Sequence, residues 1–290
     1  MKNQSLIKKS TAVGFICLVF NCSSHSKSAL SLDNQVPNDL YSCVDASKRW
    51  DYIAHSCMAP RNWQKVPKSY RDRLDRPLNL KELKQAKSDM KLKSWRTIST
   101  ENAPHAIILI GTAGSGKSSL VPSLNKWFTG YNQNNYVQFD GDILRKNHKD
   151  YREISSLKSV AYTDAWLVAK PHFATMKKNL LNQIITEHRN VVIPTGVHGQ
   201  RYYKIMKEHG YRISLIGIYV DFKTAFYRGM NRAEWTGRTY TGGYQHWQTG
   251  LKHILALSKA SKNLPTLLLN NSNFNSPQQM KLGELSLQIK

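Results

Sequence analysis

The chain has 290 residues, with 42 Lys and Arg against 19 Asp and Glu, a formal net charge of +23. A composition of 40% hydrophobic and 21% charged residues excludes a chain too polar to bury a core, and the length allows one substantial domain with a smaller appendage. The basic excess draws anions of many kinds, among them nucleotides, nucleic acid and acidic membrane, and is met equally by a solvated basic surface.

At the N-terminus, Lys2, Lys8 and Lys9 precede the apolar run Ala12–Phe20, and small polar residues follow it. That order describes an export signal over residues 1–29, and the run is too short to cross a bilayer, so no stable membrane insertion is expected of the mature chain. Removal of the segment takes away four lysines and no acids, leaving +19, and leaves Cys43 and Cys57 as the remaining cysteines. The pair reads either as a disulfide or as two buried thiols.

Residues 30–100 carry no clear strand. The stretch "NLKELKQAKSDMKLKSW" (79–95) has helical spacing, with Asn79 and Glu82 placed as a capping box. This region is expected to be a helical appendage on a main domain over 101–275, with 276–290 as a tail. From His105 onward, short apolar runs alternate with longer helical stretches. The expected strands are 106–110, 136–139, 190–193, 213–220 and 266–269. The expected helices are 117–127, 156–188, 199–209, 222–234 and 244–262, the second split at Pro171. The pattern is that of an α/β, P-loop NTPase-type doubly wound parallel sheet with helices on both faces, its ligands at the carboxyl ends of the strands.

The first of those strand ends carries "GTAGSGKSS", residues 111–119. Gly111, Gly114 and Gly116 let the backbone curl around phosphate oxygens, with Thr112, Ala113, Ser115 and Ser119 completing the loop. Lys117 supplies a point charge at the β- and γ-phosphates, and Ser118 offers a hydroxyl to Mg²⁺. A full Gly-x4-Gly-Lys-Ser match after a strand and at the opening of a helix points to ATP. The next strand runs into Asp140-Gly141-Asp142, placing a carboxylate where it can face an acceptor hydroxyl; the same residues also read as a turn with a helix cap.

"GTAGSGKSS" followed by "FDGDILRKNHKDY" resembles the zeta-toxin kinases over about residues 105–270. The resemblance implies Asp142 as general base. It also implies two arginines on the transferring phosphoryl group, Arg232 in the helix after the fourth strand and Arg238 in a lid within "EWTGRTYTGGYQHW" (234–247). Asp140, Arg145, His148, Thr195 and His198 are the expected substrate-binding residues. Where the family holds UDP-N-acetylglucosamine with a carboxylate on the long helix and a Glu-Gly-Thr stretch, this chain has "MKKNLL" (176–181) and "IPTGVHG" (193–199). A related branch phosphorylates the adenosine ribose of NAD. The expectation is an ATP- and Mg²⁺-dependent kinase of a small anionic metabolite, a sugar nucleotide or NAD, acting as an exported toxin or effector with an antitoxin or delivery partner unspecified. The alternatives are a polynucleotide 5′-hydroxyl kinase and a secreted basic binding protein with a vestigial nucleotide site.

Overall fold

The computed structural model describes residues 63–91, 103–156, 162–236, 244–260, 266–273 and 277–288, all within one compact unit spanning Val36–Lys290. In chain order these residues form α1 (Lys68–Leu74), α2 (Leu80–Asp89), β1 (His105–Gly111), α3 (Lys117–Leu120), β2 (Val137–Gln138), α4 (Gly141–Asn147), α5 (Lys149–Ser156) and α6 (Tyr162–Thr186). There follow β3 (Val191–Thr195), α7 (Gly199–Glu208), β4 (Arg212–Tyr219), α8 (Phe222–Thr236), α9 (Tyr244–Ala260), β5 (Thr266–Asn270), β6 (Gln278–Gln279) and α10 (Leu282–Leu287). Export signal, Cys43, Cys57 and residues 237–243 of the lid, Arg238 among them, lie outside the described residues.

The strands form one sheet in the order β2-β3-β1-β4-β5-β6, parallel except for the antiparallel β6. Side chains of β1 alternate between two apolar clusters. Ile108 and Ile110 join Phe173, Leu180, Met206, Leu251 and Ile254 on one face; Ile107 and Leu109 join Leu120, Leu124, Tyr131 and Tyr136 on the other. A strand buried on both faces needs a continuous apolar run, and each such side chain contributes about 2 kcal/mol on burial. The chain leaves β1 towards β2 and β3 on one side and later fills β4 and β5 on the other. The crevice at this switch lies at the carboxyl end of β1.

The capping box is formed: Asn79 Oδ1 accepts from the Glu82 amide at 2.9 Å, and Glu82 Oε2 accepts from the Asn79 amide at 2.8 Å. Helices α1 and α2 bury Leu74, Ala86 and Met90 in the same cluster as β1, so they are continuous with the sheet core. Three local expectations are corrected. The helix expected over 117–127 is α-helical only to Leu120 and continues as a 3-10 helix over Val121–Lys126, because Pro122 has no N–H to donate. Pro171 does not split the long helix: α6 runs through it, with Ala165, Ala169, Phe173, Leu180 and Ile184 buried on both sides of the proline. That shared packing outweighs a proline penalty of about 3 kcal/mol. Residues 276–290 are more than a tail, since β6 pairs with β5 and α10 buries Leu285 completely. A two-residue strand leaves no periodic trace in a sequence.

Candidate active site

At the carboxyl end of β1 the backbone of Gly111–Gly116 turns back on itself and delivers Lys117 to the start of α3. Gly114 and Gly116 have φ of +78° and +84°, a region that favours glycine. The space is closed as well. A Cβ on Gly114 would lie 2.4 Å from the Ala225 carbonyl oxygen, and one on Gly116 would lie 2.5 Å from Asn271 Nδ2. The loop is held from behind by residues the sequence pattern did not single out. Asn271, just past β5, donates Nδ2 to the Ser115 carbonyl at 2.8 Å. Arg228 on α8 donates Nη2 to the Asn271 carbonyl at 2.7 Å and Nη1 to the Gly114 carbonyl at 3.4 Å. Burial lowers the proton affinity of the Arg228 guanidinium, with the nearby Asp221 acting in the other direction.

Lys117 arches over the loop, donating Nζ to the Gly111 carbonyl at 2.9 Å and the Thr112 carbonyl at 2.7 Å. Ser115 and Thr112 are buried, while Ser118 and Ser119 face outward from the first turn of α3. Ser118 donates its hydroxyl to Asp140 Oδ2 at 2.8 Å, and Asp140 Oδ1 caps α4 by accepting from the Asp142 amide at 2.9 Å. Asp140, expected on the acceptor, is therefore committed to the phosphate side. A serine hydroxyl and a carboxylate at hydrogen-bond distance form a hard-oxygen pair of the kind Mg²⁺ takes when phosphates and waters complete its shell. Among the described residues no group of three or more His, Cys, Asp or Glu side chains is placed to hold a metal ion.

Asp142 stands on the first turn of α4 and is ion-paired to Arg145 one turn on. The Arg145 guanidinium lies 4.6 Å above the Trp166 ring, which stacks on Phe173 at 5.5 Å. The base candidate is thus paired with a cation that itself lies over the Trp166 ring. His148 does not reach the crevice. Its side chain is fully buried, its Nδ1 accepts from the Tyr151 amide at 3.1 Å, and its ring meets Phe173 edge-on. The "NHKDY" pattern could not reveal this, because the burial comes from α6. Burial lowers the proton affinity of His148, with Arg76 adding to the effect and Glu82 and Asp150 opposing it. Thr195 ends β3 beside Ile110, buried, and the exposed His198 immediately precedes α7. Arg232 falls one helical turn beyond Arg228 on α8.

A strand-end phosphate loop, a serine–aspartate pair and a second aspartate on the following helix thus stand in series along the chain. The zeta toxin family model matches residues 89–251, more than half of the chain. The chain belongs to the zeta toxin family. Zeta toxin membership gives the coarse assignment, an ATP-binding phosphotransferase of toxin type. Among solved structures, the chain is similar to one from the characterisation of the PezAT chromosomal toxin–antitoxin system of Streptococcus pneumoniae. That match has 16% identity and a TM-score of 0.53, and covers 79% of this chain and 90% of the other. It is also similar to a crystal structure of AvrRxo1-ORF1:ORF2 with ATP, at 12% identity and a TM-score of 0.49, covering 87% and 80%. No curated protein sequence matches the chain. Among the described residues no helix is long and apolar enough to cross a membrane.

Proposed function

We propose that this zeta toxin phosphorylates a hydroxyl of a small anionic metabolite, a sugar nucleotide or NAD, at the expense of ATP. The observation that carries the reading is the continuous bridge from Ser118 through Asp140 to the Asp142 amide. It ties the first turn of α4, the turn that carries Asp142, to Ser118 of the phosphate loop. The loop amides and Lys117 bind the triphosphate. Ser118 and Asp140 would hold Mg²⁺, which neutralises phosphate charge when bound. Asp142 orients the acceptor hydroxyl and receives its proton as the oxygen–phosphorus bond forms and the bond from the γ-phosphorus to the ADP oxygen breaks. Such transfer is mostly positioning and charge neutralisation, so a carboxylate held by Arg145 suffices. Arg232 and Arg238 are the proposed ligands of the phosphoryl group in flight.

Incubating the purified chain with Mg·ATP and a metabolite extract, followed by mass spectrometry, tests the reading. The expected result is one metabolite gaining a phosphoryl group, and no product with the Asp142→Asn protein. An extract left unchanged by the native chain would leave the vestigial-site alternative. Radiolabelled phosphate appearing on RNA 5′-ends would favour the polynucleotide kinase. The basic–apolar–small order of residues 1–29 supports a further proposal, export towards a target cell that supplies the ATP. An antitoxin is the matching proposal for a partner, supported by the toxin–antitoxin system named for the similar streptococcal structure.

A further inference from the structure

Helix α6 carries Lys177 where its ammonium crosses the sheet edge. The Nζ lies 5.6 Å from the Phe139 ring and 6.0 Å from the Tyr202 ring, and a Cβ on Gly141 would meet it at 3.4 Å. Gly141 sits between Asp140 and Asp142, so this cation borders the residues assigned to metal and acceptor. Tyr202 belongs to the first turn of α7, as does Arg201, and His198 immediately precedes that helix. Lys177 of α6 thus approaches the first turn of α7, which carries Arg201 and Tyr202 and follows His198. Among the described residues no carboxylate pairs with Lys177, His198 or Arg201, although ion pairs tie up Arg73, Arg76, Arg145 and Arg189 elsewhere. Cationic side chains with no carboxylate partner among the described residues are open to an anionic group of the acceptor.

We propose that Lys177, His198 and Arg201 form a subsite for a phosphate or pyrophosphate group of the acceptor, which holds the acceptor hydroxyl towards Asp142. This rests on the kinase reading and names the part of the acceptor that the protein grips. Partial burial, then the charges of Lys177, Arg201 and His253, lower the proton affinity of His198, so Lys177 and Arg201 are the cationic members of the subsite. The rings of Phe139 and Tyr202 fix the ammonium by cation–π contact, which reduces the entropy lost when an anion is bound. A lysine on the long helix and a histidine after β3 would thus grip an anion, a chemistry opposite to that of a carboxylate that accepts from sugar hydroxyls.

The test is calorimetric titration of pyrophosphate into the full chain with the phosphate loop already saturated by a non-hydrolysable ATP analogue. Binding in the native protein, weakened about tenfold or more in each of Lys177→Met and Arg201→Met and lost in Lys177→Glu, supports the subsite. Analogue affinity and circular dichroism should be unchanged throughout. If the analogue binds but pyrophosphate does not, or binds all variants alike, the subsite is overturned while nucleotide binding stands. If the analogue itself does not bind, the kinase reading fails and takes the subsite with it. Lys177→Arg, which keeps the charge, should retain most of the pyrophosphate affinity; a loss equal to that of Lys177→Met would mean packing alone is being measured, and would also overturn the proposal.

Discussion

The hydroxyl of Ser118 donates to the carboxylate of Asp140 across 2.8 Å, joining the phosphate loop to the end of β2. Asp140→Asn keeps the shape, and its amide oxygen can still accept from the Asp142 amide, but it removes the negative charge a divalent cation needs. Phosphoryl transfer should fall by about 100-fold or more, and the residual rate should require more Mg²⁺. Rates measured across a magnesium series, with circular dichroism to check the fold, decide this. An unchanged magnesium dependence would remove Asp140 from the metal site.

Arg145 pairs with Asp142 while lying on Trp166. Arg145→Met should lower kcat about 10- to 100-fold with little change in the KM for ATP, since it frees the acceptor-side carboxylate and leaves the phosphate loop alone. Arg145→Lys should recover only part of the rate, because an ammonium has neither the planar fork nor the stacking face. Equal loss in kcat/KM for ATP and in thermal stability would instead mark Arg145 as purely structural.

The parts of this site that are continuous in sequence were legible, and those assembled across the chain were not. "AIILI" before "GTAGSGKSS" reveals both strand and loop because a doubly buried strand and a phosphate cradle each impose local residue types. Asp140 and Asp142 were both visible as carboxylates after a strand, yet their division of labour was not: a two-residue difference at a helix cap decides which bonds Ser118. Arg228 and Asn271 reach the loop by donating to its carbonyls, over separations of 114 and 156 residues, and any polar side chain in their place would have looked the same. Pro171 misled because the cost of a proline is local while the packing that offsets it is tertiary. His148 misled for the corresponding reason, its burial being supplied by α6.

Asn271 supports the loop through the Ser115 carbonyl and through contact with Gly116. Asn271→Ala should weaken binding of a non-hydrolysable ATP analogue about tenfold, corresponding to the roughly 1–3 kcal/mol cost of an unsatisfied buried carbonyl. Gly116→Ala should be worse, combining a left-handed φ with a clash, and titration calorimetry should find no nucleotide binding at all. If Asn271→Ala binds the analogue as the native chain does, the loop keeps its shape without that support.

Glu82 gives the fold an acid-sensitive joint. Its carboxylate accepts from Arg76 Nη1 and Nη2 at 2.7 and 2.9 Å, from the Asn79 amide at 2.8 Å and from the Lys149 amide at 2.9 Å. Burial pushes its pKa up, but those donors outweigh burial and hold it at about 2, below its ordinary 4.5. The folded state therefore prefers the ionised form. Its contribution, about 3 kcal/mol, is fully present above pH 4.5 and is lost as the pH falls from there towards 2. Urea unfolding measured at successive pH values should show that loss in the native chain. Glu82→Gln should be less stable at pH 7 and show a flatter acid limb, retaining the part due to Asp150, whose pKa is also held low, against its burial, by Arg76 and Arg73. Because Glu82 ties α2 to the start of α5 rather than to the phosphate loop, nucleotide affinity at pH 7 should survive in the fraction that remains folded. A Glu82→Gln acid limb as steep as that of the native chain would show that Glu82 contributes no such linkage.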